Sequence, residues 1–223
     1  MKIEPLVFLF DVDNTLIDND RITRDLSNHL EEDFGKETRD RYFTIFEELR
    51  RELGYADYLG ALQRYRNEHP LDVRLLRMSS YLIDYPFPDR LYPQALEVIK
   101  HCRAWGTTAI LSDGDVIFQP RKVQQSGIHA AVDGHVLIYI HKEESLADVE
   151  QRYPAKHYIF VDDKPRLVAA IKNYWQNRVT TIMPRQGHYA LDAKSLAEYA
   201  PADIIIDHIA DLLSYREPPV SGR

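Results

Sequence analysis

A single cysteine, Cys102, among 223 residues rules out an internal disulfide framework, so the fold must rest on a packed core. Cys102 itself lies in the apolar-periodic segment Ala95–Trp105 and is expected to be a packing residue rather than a nucleophile. No apolar run approaches membrane-spanning length, and Met1-Lys2-Ile3-Glu4-Pro5 has no secretory signal pattern. A cytoplasmic protein with no membrane partner is the expectation. Positive charge is also short: 28 Lys and Arg stand against 35 Asp and Glu, a net charge of −7. That balance argues against a general nucleic-acid binder, although a local basic pocket remains open. The nine histidines show no metal spacing, with His129, His135 and His141 spread over two elements, which argues against zinc. Gly-rich phosphate loops of the P-loop or dinucleotide type are absent.

What the chain does have begins at Leu6-Val7-Phe8-Leu9-Phe10, five consecutive apolar residues that predict a strand buried on both faces. Asp11 and Asp13 follow where that strand should end. If the chain stays extended through Val12, the period of two puts both carboxylates on one side. Carboxylates held that close repel each other, and a bound cation relieves the repulsion. In open α/β sheets, ligands bind beyond the carboxyl ends of the strands. Taken alone, Asp-Val-Asp-Asn equally fits a solvated turn.

Four helix-period segments come next. Ile22, Leu26 and Leu30 mark the first, ended by Phe34-Gly35; Tyr42, Ile45, Phe46, Leu49 and Leu53 mark the second, closed by Gly54. Tyr55, Tyr58, Leu59, Leu62 and Tyr65 indicate a third, and Leu71, Leu75, Met78 and Leu82 a fourth, before Tyr85-Pro86-Phe87-Pro88 stops helix formation. Residues 18–87 thus predict a small helical unit inserted into another fold. Beyond it helices and strands alternate: helix Gln94–Trp105, strand Thr107–Leu111, helix Gln119–Ser126, strand Val136–Ile140, helix Lys142–Arg152, strand His157–Val161. Helix Pro165–Trp175, strand Val179–Met183, helix Leu191–Tyr199, strand Asp203–Ile206 and a short helix to Tyr215 complete the series. Such alternation predicts right-handed βαβ units and a parallel sheet. The fold class is therefore α/β, a Rossmann-like core from residues 1–17 and 88–215 with a helical cap, and a tail at 216–223 expected to be disordered.

Phe10-Asp11-Val12-Asp13-Asn14-Thr15-Leu16 resembles the first motif of the haloacid dehalogenase-like hydrolases, Asp-x-Asp-x-Thr after a hydrophobic strand. A helical cap after the first strand is the layout of one large branch of that family. Leu111-Ser112-Asp113-Gly114 resembles its second motif. The resemblance gives the Ser112 hydroxyl and the N–H groups of Asp113 and Gly114 the task of binding phosphoryl oxygens. The third motif is a lone cation, matched by Lys142, with Lys122 and Lys164 as alternatives; Glu143 stands where the family often has Pro. Phe160-Val161-Asp162-Asp163 resembles the fourth, although Leu167 and Val168 stand where a further acid is common. The resemblance implies Mg²⁺ held by Asp11, the carbonyl of Asp13, and Asp162 or Asp163. It also implies an aspartyl-phosphate phosphatase with Asp11 as nucleophile and Asp13 as acid and base, acting on a small phosphorylated metabolite as a monomer or homodimer. A phosphate-binding protein with little turnover and a metal-free dehalogenase are the alternatives.

Overall fold

The computed structural model describes residues 3–220. Six strands, β1 (Glu4–Phe10), β2 (Thr107–Asp113), β3 (Val136–Tyr139), β4 (Ala155–Val161), β5 (Val179–Pro184) and β6 (Ile204–Ile206), form one sheet. Their order is β3-β2-β1-β4-β5-β6 and every pairing is parallel. In this doubly wound order the strand sequence reverses beside β1, and a crevice opens beyond the carboxyl ends of β1 and β4.

Side chains of β1 alternate between two cores. Leu6, Phe8 and Phe10 enter one, and Val7 and Leu9 enter the other. The neighbouring β4 divides in the same way, Ile159 and Val161 from Tyr158 and Phe160. With both faces covered, neither strand needs polar residues, which is why each reads as an unbroken apolar run.

Between β1 and β2 the chain forms α1 (Asn19–Phe34), α2 (Lys36–Leu53), α3 (Tyr58–Glu68) and α4 (Leu75–Ile83). Asp18 caps α1 by accepting from the Arg21 N–H, and Gly54, at φ 82°, ends α2 in the left-handed conformation. The buried stripes of these helices join the core that holds Phe8 and Phe10. The two passages linking the insert to the sheet run side by side. Asp18 N–H donates to the Arg90 carbonyl at 2.8 Å, and Tyr92 N–H to that of Leu16 at 2.9 Å. Downstream lie α5 (Ala95–Arg103), α6 (Phe118–Gln125), α7 (Ile128–Ala131), α8 (Leu146–Arg152), α9 (Pro165–Trp175), α10 (Gly187–Leu191) and α11 (Ala193–Glu198). Cys102 is buried in the core, as a packing residue would be.

Several expectations need correction. Leu71 is 91 % exposed and lies in the turn before α4, not on its buried stripe. The segment Lys142–Arg152 is not one helix: a 3₁₀ turn at Lys142–Glu144 precedes α8, because Lys142 is tied by its N–H to Asp113 Oδ1 at 2.8 Å. Leu191–Tyr199 is divided at Asp192, whose carboxylate accepts from the Ser195 N–H and starts α11 afresh. The tail is ordered as far as it is described, with Pro219 buried and Val220 against the core; residues 221–223 lie outside the described residues. Among the described residues no helix is long and apolar enough to cross a membrane.

Leu9 is fully buried in the centre of the sheet. Leu9→Ala should lower unfolding stability by about 3 kcal/mol through lost burial and the cavity left behind. Urea titration checks this, with a shifted midpoint at unchanged slope.

Candidate active site

The acidic residues sit at the carboxyl ends of the two strands flanking the crevice. Asp11, directly after β1, donates its N–H to the Val161 carbonyl at 2.9 Å, so the β1–β4 ladder carries it one residue past the strand. Asp162, directly after β4, is held likewise by the Ile182 carbonyl at 3.1 Å. Between them lies the ammonium of Lys142, completely buried. Its Nζ donates to Asp11 Oδ1 and Asp162 Oδ2, both at 2.6 Å, and to the Leu111 carbonyl at 3.2 Å. Of the three lysines considered from sequence, Lys142 is the one hydrogen-bonded to Asp11. The Lys164 ammonium lies over the Tyr189 ring, 5.6 Å from its centroid, and Lys122 is bonded elsewhere.

Asp11, Asp162 and Asp163 offer carboxylate oxygens all within 4.8 Å of one another. They are not equivalent. Asp162 has both oxygens occupied, Oδ2 by Lys142 and Oδ1 by the Lys164 N–H at 2.8 Å. Asp163 Oδ1 and Oδ2 and Asp11 Oδ2 are buried with no hydrogen-bond partner. Leaving ionised oxygens so is costly, and a hard cation with oxygen ligands fits the set. The sequence left Asp162 and Asp163 open as metal ligands; the free oxygens belong to Asp163.

Titration follows from this crowding. Burial pushes the Asp11 carboxyl up to about 6, against the pull of the Lys142 ammonium, while the carboxylates of Asp162 and Asp13 push the same way as burial. Asp163 is raised well above the usual carboxylate range by burial and then by Asp162. Burial works against the charged form of Lys142, yet the adjacent Asp11 and Asp162 hold its pKa above the ordinary lysine range.

Asp13 does not share the cation of Asp11. Its Oδ1 accepts from Lys122 Nζ at 2.6 Å, and the same ammonium reaches Asn19 Oδ1 at 3.0 Å. Ser112, at the end of β2, is buried; its Oγ accepts from Gln119 Nε2 at 3.0 Å. Asp113 and Gly114 follow it as predicted, but only partly with the roles predicted. The Gly114 N–H is spent on the Tyr139 carbonyl at 3.0 Å, extending the β2–β3 ladder, so it has no proton left for an anion. A cavity of about 320 Å³ is bounded by Asp13, Arg50, Tyr58, His141, Lys164 and Tyr189. Gln119, Asn19 and His141 are not among the site residues expected from the sequence. Their side chains meet the site only through packing of distant segments.

Residues 6–174 match the haloacid dehalogenase-like hydrolase family, and the chain belongs to that family. It is a hydrolase of α/β architecture. A crystal structure described as a haloacid dehalogenase-like hydrolase, from Burkholderia xenovorans, is 58% identical, with a TM-score of 0.90 over 94% of this chain and 98% of that one. L-2-haloacid dehalogenase from Xanthobacter autotrophicus is 18% identical, with a TM-score of 0.61 over 92% and 96% of the two chains. A HAD-hydrolase from Bacillus subtilis, bound to magnesium, is 15% identical, with a TM-score of 0.59 over 96% and 98%. These last two share the fold. Comparison with curated proteins gave no match.

The raised acids make the metal-free protein sensitive to pH in a defined direction. An unfolded aspartate titrates near 3.9. Between that pH and about 6 the folded chain keeps an Asp11 proton that the unfolded chain has lost, so stability falls as pH rises and the penalty is complete above about 6. Its size is on the order of 3 kcal/mol from Asp11 alone. A divalent cation bound to the ionised acids should cancel it. Thermal melts with Mg²⁺ and with chelator should therefore show a larger Mg²⁺ stabilisation at about pH 7.5 than at about pH 5. Equal stabilisation at both would contradict this assignment of the acids.

Proposed function

We propose that the protein is a Mg²⁺-dependent phosphatase that hydrolyses a small phosphorylated molecule through an aspartyl-phosphate on Asp11. The observation that carries this reading is the cluster of buried carboxylate oxygens on Asp11 and Asp163 without partners, beside a fully buried Lys142. A dehalogenation site needs the nucleophile but not a cation site. The presence of Asp13 two residues beyond Asp11 points the same way, because phosphate ester cleavage requires a proton for the leaving oxygen.

Asp11, Asp163 and the carbonyl of Asp13 would hold Mg²⁺, which when bound supplies positive charge against the anionic ester. The remaining work falls to the chain's own groups. Lys142 holds Asp11 in place and offsets charge on the transferring group. Asp162 fixes Lys142 from the other side and keeps it protonated. Asp11 attacks phosphorus while the bond from phosphorus to the ester oxygen breaks, and Asp13 gives that oxygen its proton. Asp13 then takes a proton from water as the water attacks the aspartyl-phosphate, and inorganic phosphate leaves with Asp11 restored. Ser112 and the Asp113 N–H contact the non-bridging oxygens. The helical insert covers the cavity and limits the substrate to a small molecule.

Turnover of phosphate monoesters should require Mg²⁺ and stop with excess chelator; full activity in chelator would overturn the metal requirement, and halide release from a 2-haloacid with no phosphate-ester turnover would favour a metal-free dehalogenase. Lys142→Ala should cost about 3 kcal/mol of transition-state stabilisation, read as kcat/KM on an aryl phosphate. Mixing each variant with an activated aryl phosphate and Mg²⁺, then weighing the intact protein, tests the covalent route. Asp13→Asn should gain the mass of a phosphoryl group, because its intermediate cannot be hydrolysed efficiently. Asp11→Asn should gain none, and an equal gain on both would remove Asp11 as nucleophile.

A further inference from the structure

Lys122 is fully buried, like Lys142, yet the steps above give it nothing to do. It projects from α6, and its side chain is 1% exposed. An ammonium taken out of water costs several kcal/mol unless well paired. Here its partners are one carboxylate oxygen, Asp13 Oδ1 at 2.6 Å, and one amide oxygen, Asn19 Oδ1 at 3.0 Å, with the Phe118 ring centroid 5.3 Å away. Asp13 Oδ1 is thereby engaged, and a proton for the leaving oxygen falls to Oδ2.

The second partner is what distinguishes this lysine. Asn19 is the first residue of α1, where the helical insert begins. Its Nδ2 donates to Tyr58 Oη of α3 at 3.4 Å, and that hydroxyl shares a hydrogen bond with Thr23 Oγ1 of α1 at 2.9 Å. The Tyr58 carbonyl in turn accepts from Tyr42 Oη of α2 at 2.8 Å. A polar chain thus runs from Asp13 through Lys122 into α1 and α3, and Tyr42 of α2 holds the backbone of the same Tyr58. Phe118, on the same helix as Lys122, packs against Tyr58 and Phe87 with ring centroids 5.1 and 5.6 Å away. The apolar seat of the insert and the ammonium on Asp13 therefore belong to one helix.

We propose that Lys122 is a positioning residue that orients the Asp13 carboxylate for proton transfer and, through Asn19, couples that orientation to the seating of the helical insert. The inference rests on Asp13 acting as the acid in the phosphatase reaction. Its signature is dependence on the leaving group, which a merely structural lysine would not alter. A nitrophenolate leaves without help, whereas a phenolate or an alkoxide needs the proton.

The test measures kcat/KM with Mg²⁺ for p-nitrophenyl phosphate, phenyl phosphate and an alkyl phosphate, on wild type, Lys122→Met, Asn19→Ala and Asp13→Asn. Lys122→Met keeps the length of the side chain, and Asp13, 24% exposed at the cavity edge, can be solvated by water in its place. It should lose about 30- to 100-fold on the phenyl and alkyl esters but less than about threefold on the nitrophenyl ester. Asn19→Ala should show the same slope in weaker form, about tenfold on the poor leaving groups. Loss of the same factor on all three esters, or wild-type values, for Lys122→Met overturns the inference while the phosphatase reading stands. An Asn19→Ala variant with wild-type leaving-group dependence overturns the link to the insert. If Asp13→Asn itself leaves the dependence unchanged, or wild type cleaves none of the esters, Asp13 is not the acid and the inference falls with the reading it rests on.

Discussion

The site depends on one buried ion cluster, the Lys142 ammonium bridging Asp11 and Asp162 at 2.6 Å on either side. Charge counting explains why it cannot be self-sufficient. Three buried carboxylates, Asp11, Asp162 and Asp163, face one ammonium, with Lys164 the next cation near them. In low dielectric, an imbalance of that kind is resolved either by protonating an acid or by adding a cation. The chain alone takes the first course, raising Asp11 and Asp163. A divalent ion offers the second, and extends to lower pH the range in which Asp11 is ionised. Breaking the cluster from either side would strand a charge, so Asp162 is as necessary to the arrangement as the lysine it holds.

Placement of that cluster follows from the central strand. β1 pairs with β2 on one side and β4 on the other, so its end is the point where three strand ends converge. This much is legible in the sequence. Two apolar runs, each ending in a pair of nearby acids, are hard to explain as turns alone and point to strands covered on both faces that finish at one edge. The helical stripes of α1 and α2 are legible for the same reason, since their buried residues recur at helical spacing and are closed by glycines. Short-range pattern and long-range placement agree wherever one buried face determines the periodicity.

What the sequence hides is decided by contacts between remote segments. The expectation for Gly114 failed because turn chemistry after a strand looks the same whether its N–H points to solvent or continues a ladder; here Tyr139 claims it. The break after Lys142 is invisible because its cause, Asp113, is 29 residues away. Asn14 carries a positive φ of 59°, and its carbonyl oxygen Oδ1 accepts from the N–H groups of Asn19 and Asp20, forming the bend into α1. Gly187 lies over that bend so closely that a Cβ there would stand 2.4 Å from Asn14 Cβ. Its left-handed φ of 70° lets the following His188 clamp Asp20 through both ring and backbone. None of these pairings leaves a local trace.

The same geometry supplies each of the two motif acids, Asp11 and Asp13, with its own cation. Asp11 takes its ammonium from the segment after β3, which belongs to the sheet and is bonded to the β2 end. Asp13 takes its ammonium from α6, the helix on which aromatic residues of the insert rest. The contacts of the insert therefore lead to Asp13 through Lys122, while the partners of Lys142 all lie at strand ends of the sheet. Asp11 is thus fixed to the edge of the sheet, whereas Asp13 is tied through Lys122 and Asn19 to the start of the helical insert.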